Sequence, residues 1–225
     1  EVYTSNNLGT SWTNIYVSTG SVKNIAVSSS GSIILVAIGT ILSISDNSGQ
    51  TWEDFTPYNR TSFDNMAMSD NGNNIFIGGA GSMQYNGHQW LEGIATVWRS
   101  GDSGNTWIES TPSANNSYDD WSSLTSSSDG TKVAVVGAKN RDYTIFLSKD
   151  SGETWTQVPA FRSKQTPFLD IISSANGMTL NAIDQYHIYN GNTPIAINGS
   201  IWKSIDGGET WVQKQCNNSL FHHVV

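Results

Sequence analysis

Apolar positions fall into a pattern that recurs four times along the chain. Nine residues before each of Gly31, Gly72, Gly130 and Gly177 stands a large apolar residue: Val22, Phe63, Trp121 and Phe168. Three positions further on come Ile25, Met66, Leu124 and Ile171. After each glycine lies a β-rich run, such as Ile33-Ile34-Leu35-Val36 or Val133-Ala134-Val135-Val136. Short apolar runs joined across a glycine turn predict a hairpin of two buried strands, A and B. A third strand, C, carries an aromatic two residues before a serine at Tyr3, Trp98, Phe146 and Trp202. One repeat departs from this, with Ser43 between Leu42 and Ile44. A short strand D follows. No stretch keeps a 3.6-residue period, so the pattern predicts an all-β chain with four strands per repeat.

Strands C and D are joined by a second recurring element, Ser-x-Asp-x-Gly-x-Thr-Trp. It is complete at residues 100–107, 148–155 and 204–211, with Asp102, Asp150 and Asp206 as its acids and Trp107, Trp155 and Trp211 at its end. Looser copies at 5–12 and 45–52 have Asn7 and Asn47 in place of the acid and end on Trp12 and Trp52. The tryptophans are 40, 55, 48 and 56 residues apart, the period of a propeller blade. Glycine supplies the positive φ that so tight a turn needs. The Asp or Asn side chain can accept bonds from nearby backbone N–H groups, and the Trp is expected to cover the turn and pack between strands.

This eight-residue turn resembles the Asp-box, or bacterial neuraminidase repeat, across nearly the whole chain. The resemblance implies one domain over 1–225, a β-propeller of four-stranded antiparallel blades with about five repeats. The chain opens on strand C, at Tyr3 and Ser5, and Phe221 to Val225 matches the start of strand A. A fifth blade built from the two ends would lack strand B, so the expectation is part of a larger propeller.

Asp-box propellers include sialidases, which use an arginine triad, a Tyr–Glu nucleophile pair and an Asp acid. This chain has four arginines, Arg60, Arg99, Arg141 and Arg162, and no Arg-Ile-Pro opening signature. Asp-box xyloglucan hydrolases are far longer and set two carboxylates in a cleft between two propellers. Asp119, Asp120, Asp170 and Asp184 show no spacing that marks an acid/base pair. The residues therefore predict no enzyme. Neither a cofactor nor a metal is expected, because His88, His187 and the adjacent His222 and His223 are scattered.

Charge narrows the partners. The net charge of −8 over 225 residues argues against nucleic acid and anionic membranes, and no apolar run is long enough to span a bilayer. A lone Cys216 excludes a disulfide within the chain. Sequons begin at Asn59, Asn115, Asn198 and Asn217, which suits an extracellular or cell-surface glycoprotein. All four fall in B-to-C or D-to-A connections, on the side opposite the box turns.

Those connections also collect the unique residues. Tyr85, His88 and Trp90 lie in one long B-to-C connection, and Tyr186 and Tyr189 lie in another. The D-to-A loops add Tyr118, Asp120, Phe161 and Arg162. Rings beside polar groups suit sugar recognition, through stacking on pyranose C–H groups and bonds to hydroxyls. The expected role is a glycan-binding, adhesive or scaffold module, with self-assembly or a protein partner as the alternative.

Overall fold

A computed structural model describes residues 1–18, 20–56, 63–80, 84–85, 88, 90–91, 95–112, 120–139, 142–161, 167–190 and 193–217. Among these there are strands and a single 3-10 turn at Pro159–Phe161, and every paired strand runs antiparallel. A two-stranded sheet of β1 (Val2–Thr4) and β2 (Thr13–Tyr16) comes first. The next sheet meanders through β3 (Val22–Val27), β4 (Ile34–Ile38), β5 (Ile41–Ser45) and β6 (Glu53–Phe55). Another is built from β7 (Asn65–Met68), β8 (Ile75–Gly78), β11 (Val97–Ser100) and β12 (Ile108–Glu109). Between β8 and β11 sits a small hairpin of β9 (Gln84–Tyr85) and β10 (Trp90–Leu91). The fourth sheet runs β13 (Asp120–Ser126), β14 (Val133–Lys139), β15 (Asp142–Ser148) and β16 (Thr156–Gln157). The fifth runs β17 (Phe168–Ser173), β18 (Leu180–Asn190), β19 (Thr193–Ser204) and β20 (Val212–Asn217).

The second strands β4, β8 and β14 are apolar on both faces because each lies in a sheet with another sheet packed on either side. Ile34 and Val36 of β4 pack towards β1 and β2, whereas Leu35 and Ala37 pack towards Ile75 and Ile77 of β8. Phe76 points the other way, into a core with Trp121, Val133 and Val135. Ala134 and Val136 then join Phe168, Leu180 and Ala182. The period-2 geometry of a strand thus feeds two cores at once. A fully buried Val, Leu or Ile contributes about 1.5–3 kcal/mol relative to exposure.

The first strands β3, β7, β13 and β17 are neighbours in that order. Two strings of hydrogen bonds tie them together. In the turns that follow them, the Ser29 N–H donates to the Asp70 carbonyl at 2.8 Å. The Asp70 N–H donates to Ser128, and the Ser128 N–H to Ala175, both at 2.7 Å. Within the strands, the polar residue two beyond the large apolar repeat position also reaches the next repeat, from Asn24, Asn65 and Ser123. Asn24 donates to the Asp64 carbonyl at 3.0 Å, Asn65 to the Trp121 carbonyl at 2.6 Å, and Ser123 to the Asp170 carboxylate at 2.7 Å.

Burial of the repeat positions depends on what stands beside them. Phe63, Trp121 and Phe168 are buried, and so are Leu124 and Ile171. Ile25 is 46% exposed, because the described residues before β3 supply only two strands to cover it.

Candidate functional site

The box turns are the most uniform feature. In each, the serine hydroxyl accepts the N–H of the glycine four residues on, at 2.8–2.9 Å. It donates to the Asp or Asn side chain, which in turn accepts the N–H of the Ser or Thr four residues beyond it. The Asp copies also accept that threonine's hydroxyl, at 2.6 Å for Asp102 and 2.5 Å for Asp150 and Asp206. In the Asn copies the proton runs the other way, with the Asn7 amide donating to Ser11 and the Asn47 amide to Thr51. The threonine bonds are the main cause that holds the carboxyls of Asp102 and Asp206 below their ordinary range and brings Asp150 to about 2.

Two details of the turn differ from the sequence expectation. The residue before the glycine also takes positive φ, as at Ser48 (59°), Ser103 (60°) and Ser151 (56°). The tryptophans, moreover, cover the preceding sheet as much as their own turn. Trp52 lies 4.5 Å from Tyr16, Trp107 stacks on Phe55 at 5.0 Å, and Trp211 meets Phe161 edge-on at 5.2 Å. Side chains of the preceding sheet also occupy the space a Cβ on the box glycine would need, Ile44 at Gly104 and Leu147 at Gly208.

The two long B-to-C connections contain strands rather than loops alone. In the first, Tyr85 and Trp90 are direct cross-strand partners in the β9–β10 hairpin, with His88 exposed at its tip. In the second, β18 and β19 stay paired from Leu180↔Ser204 out to Asn190↔Thr193. The flanking strands stop earlier: β17 pairs with β18 only as far as Asp184, and β20 with β19 as far as Asn198. A two-stranded ribbon carrying His187 and Tyr189 therefore continues beyond the sheet, with Tyr186 at its base. At about 3.3 Å per residue, it projects roughly 13 Å past its last neighbour.

Several expected site residues fall elsewhere. Asp120 opens β13, half-buried and paired with Ala138, rather than lying in a loop. Phe161 is fully buried among Phe168, Trp202 and Trp211, so it is a core ring and cannot face a partner. Asn198 and Asn217 lie in strands as cross-strand partners, not in connections. Tyr118, Arg162, Asn59 and Asn115 lie outside the described residues. Among the described carboxylates, Asp184 is buried and accepts the Trp202 indole N–H at 2.7 Å, and Asp170 is held by Ser123. No group of three metal-ligating side chains forms among the described residues.

A groove of about 400 Å³ opens on the box-turn side, at the outer edge between the β3–β6 sheet and the sheet that contains β11 and β12. Phe55, Trp98 and Trp107 line it together with Asp46, Glu53 and Asp54. Asp54 accepts the hydroxyl of the buried Ser43 at 2.5 Å, and Tyr16 meets that hydroxyl at 2.6 Å. The serine that breaks the aromatic pattern of strand C thus serves a polar chain.

No protein-family model matches the sequence, and no curated protein matches it. Solved structures do. An ancestral GH74 enzyme superposes with a TM-score of 0.65 at 21% identity, over 94% of this chain and 28% of its own. The GH74 xyloglucanase from Xanthomonas campestris gives 0.54 at 12%, over 85% of this chain and 38% of its own. A structure of a nidogen/laminin complex gives 0.58 at 11%, over 91% of this chain and 67% of the matched chain. The fold is propeller-like. The chain spans well under half the length of those GH74 enzymes. One expectation is overturned: the prediction of no enzyme does not stand, because the fold is shared with glycoside hydrolases.

Proposed function

We propose that this chain is an extracellular propeller module that binds an oligosaccharide on the side where the β18–β19 ribbon rises. The observation that carries the reading is the length of that ribbon. A repeating scaffold gains recognition where it stops repeating, and β18 and β19, at 11 and 12 residues, are the longest strands described. The sequence puts Tyr186, His187 and Tyr189 on the ribbon, and Tyr85 and Trp90 on the smaller hairpin, which are residue types that take a sugar ring and its hydroxyls. The fold shared with a xyloglucanase makes a xyloglucan oligosaccharide the first ligand to try. A protein partner is the second reading, supported by the fold shared with a nidogen/laminin complex.

Gln185 and Gly199 are cross-strand partners, so an Asn-Gly turn can replace residues 186–198 and close the ribbon at its base. Titration calorimetry with a xyloglucan heptasaccharide should show binding to the native chain and none to the shortened one, at equal urea midpoints. Undiminished binding in the shortened chain would refute the reading. Reducing ends assayed in the same samples decide whether the bound sugar is also cleaved.

A further inference from the structure

The grooves between neighbouring sheets are related by the repeat, so one can be read against another. Between the β13–β16 sheet and the β17–β20 sheet, Lys149 follows the box serine of one and Glu209 follows the box glycine of the other. They form an ion pair beside a groove of about 220 Å³. One interface earlier, Arg99 meets Glu153 at 3.3 Å, and the Ser110 hydroxyl donates to the Gly152 carbonyl. Each of these two interfaces is crossed by its own cation.

The equivalent groove at β6 is different. Where the related positions hold Lys149 and Glu209, this one holds Asp46 and Asn105; where Arg99 stands, it has Ile44. No strap can form, and the groove is nearly twice as large, about 400 Å³. Asp46 and Glu53 are exposed on its wall, and neither belongs to an ion pair among the described residues. Its other lining is aromatic, with Phe55 and Trp107 stacked at 5.0 Å. Trp98 lines it too, and its indole N–H is buried without an acceptor among the described residues.

We propose that this groove is a docking site for an arginine side chain on an extended segment of a partner protein. The guanidinium supplies the positive charge that Arg99 and Lys149 supply at the sister interfaces. It suits this lining better than an ammonium, because its plane stacks on an aromatic face while its fork bonds carboxylates. The site is separate from the ribbon and does not depend on sugar binding there.

Acetylated, amidated tri-arginine is the probe, with tri-citrulline as its uncharged counterpart, followed by tryptophan fluorescence at about 0.15 M salt. Tri-arginine should bind and tri-citrulline should not. Asp46→Asn with Glu53→Gln should weaken binding at least tenfold, whereas Asp70→Asn with Asp142→Asn, an equal change of charge elsewhere, should leave it intact. Asp46→Lys with Asn105→Glu rebuilds the strap of the sister groove and should abolish binding without lowering the thermal midpoint. Equal affinity across all these variants would mean diffuse attraction to an acidic surface and would overturn the proposal. So would binding of tri-citrulline, or of the neutral xyloglucan heptasaccharide, lost on rebuilding the strap.

Discussion

Trp12 and Trp211 end the first and last copies of the same turn, yet only one of them holds two sheets together. Both indoles donate to the carbonyl of their own box glycine, at 3.1 Å for Gly9 and 3.0 Å for Gly208. Trp211 is half-buried against Phe161, whereas Trp12 is 62% exposed. The turn therefore forms from its own eight residues whatever lies beside it. Its contribution to stability comes from the neighbouring sheet, through area removed from water.

The largest effect should follow from removing the other half of that contact. Phe161→Ala empties a site enclosed by three rings and should cost about 3–5 kcal/mol. Trp12→Ala, at an exposed ring, should cost under about 1 kcal/mol. Urea denaturation midpoints compare the two directly, and similar losses would mean that the turn stabilises the fold by itself. Two turn glycines, Gly31 between strands A and B and Gly208 in the last box, offer a finer version of the same contrast. Gly31 and Gly208 both have positive φ, at 74° and 92°, but a Cβ at Gly31 meets nothing within 4 Å. Gly31→Ala should cost about 1–2 kcal/mol of backbone strain. At Gly208 the Leu147 side chain already occupies the space, so Ala should add about 1–3 kcal/mol of overpacking. Equal midpoints for the two variants would show that Leu147 moves aside freely.

The same division decides what the sequence revealed. Bonds inside the box span four residues, so the serine, acid, glycine and threonine could be read from spacing alone. The repeat aromatics were legible for the same reason. Contacts between sheets join residues some 40 to 60 positions apart, as Asn24 to Asp64 or Asn65 to Trp121 do, and no local pattern announces them. A faint signal existed: a polar residue stands two places after each large apolar repeat residue, at Asn24, Asn65, Ser123 and Asp170. Phe161 was misread because a ring in a connection looks available until the neighbouring sheet closes over it. The ribbon was misread as loop, although Tyr186-His187-Ile188-Tyr189 is rich in strand-forming residues. Length alone made that connection look irregular.

The smallest effect concerns acid, and it separates the Asp turns from the Asn turns. Asp150 is lowered to about 2, while Asp102 and Asp206 are lowered too, first of all by their threonine hydroxyls. A carboxyl that is more acidic in the folded chain stabilises it above the unfolded pKa of about 3.9. That contribution is lost as pH falls through the folded value, so the window opens near pH 4 and runs to about pH 2 for Asp150. Asn7 and Asn47 form the same backbone bonds through an amide that does not titrate there. Asp102→Asn, Asp150→Asn and Asp206→Asn together should therefore lower the midpoint somewhat at pH 7 and flatten its decline between pH 4 and pH 2.5. Some decline should remain, because Asp129, outside the boxes, is also lowered to about 2 by Ser127 and Thr131. The carboxyls are near the surface, so solvent keeps the effect small. An acid limb of unchanged steepness in the triple variant would mean that the box carboxylates hold their threonines no more firmly than the amides do.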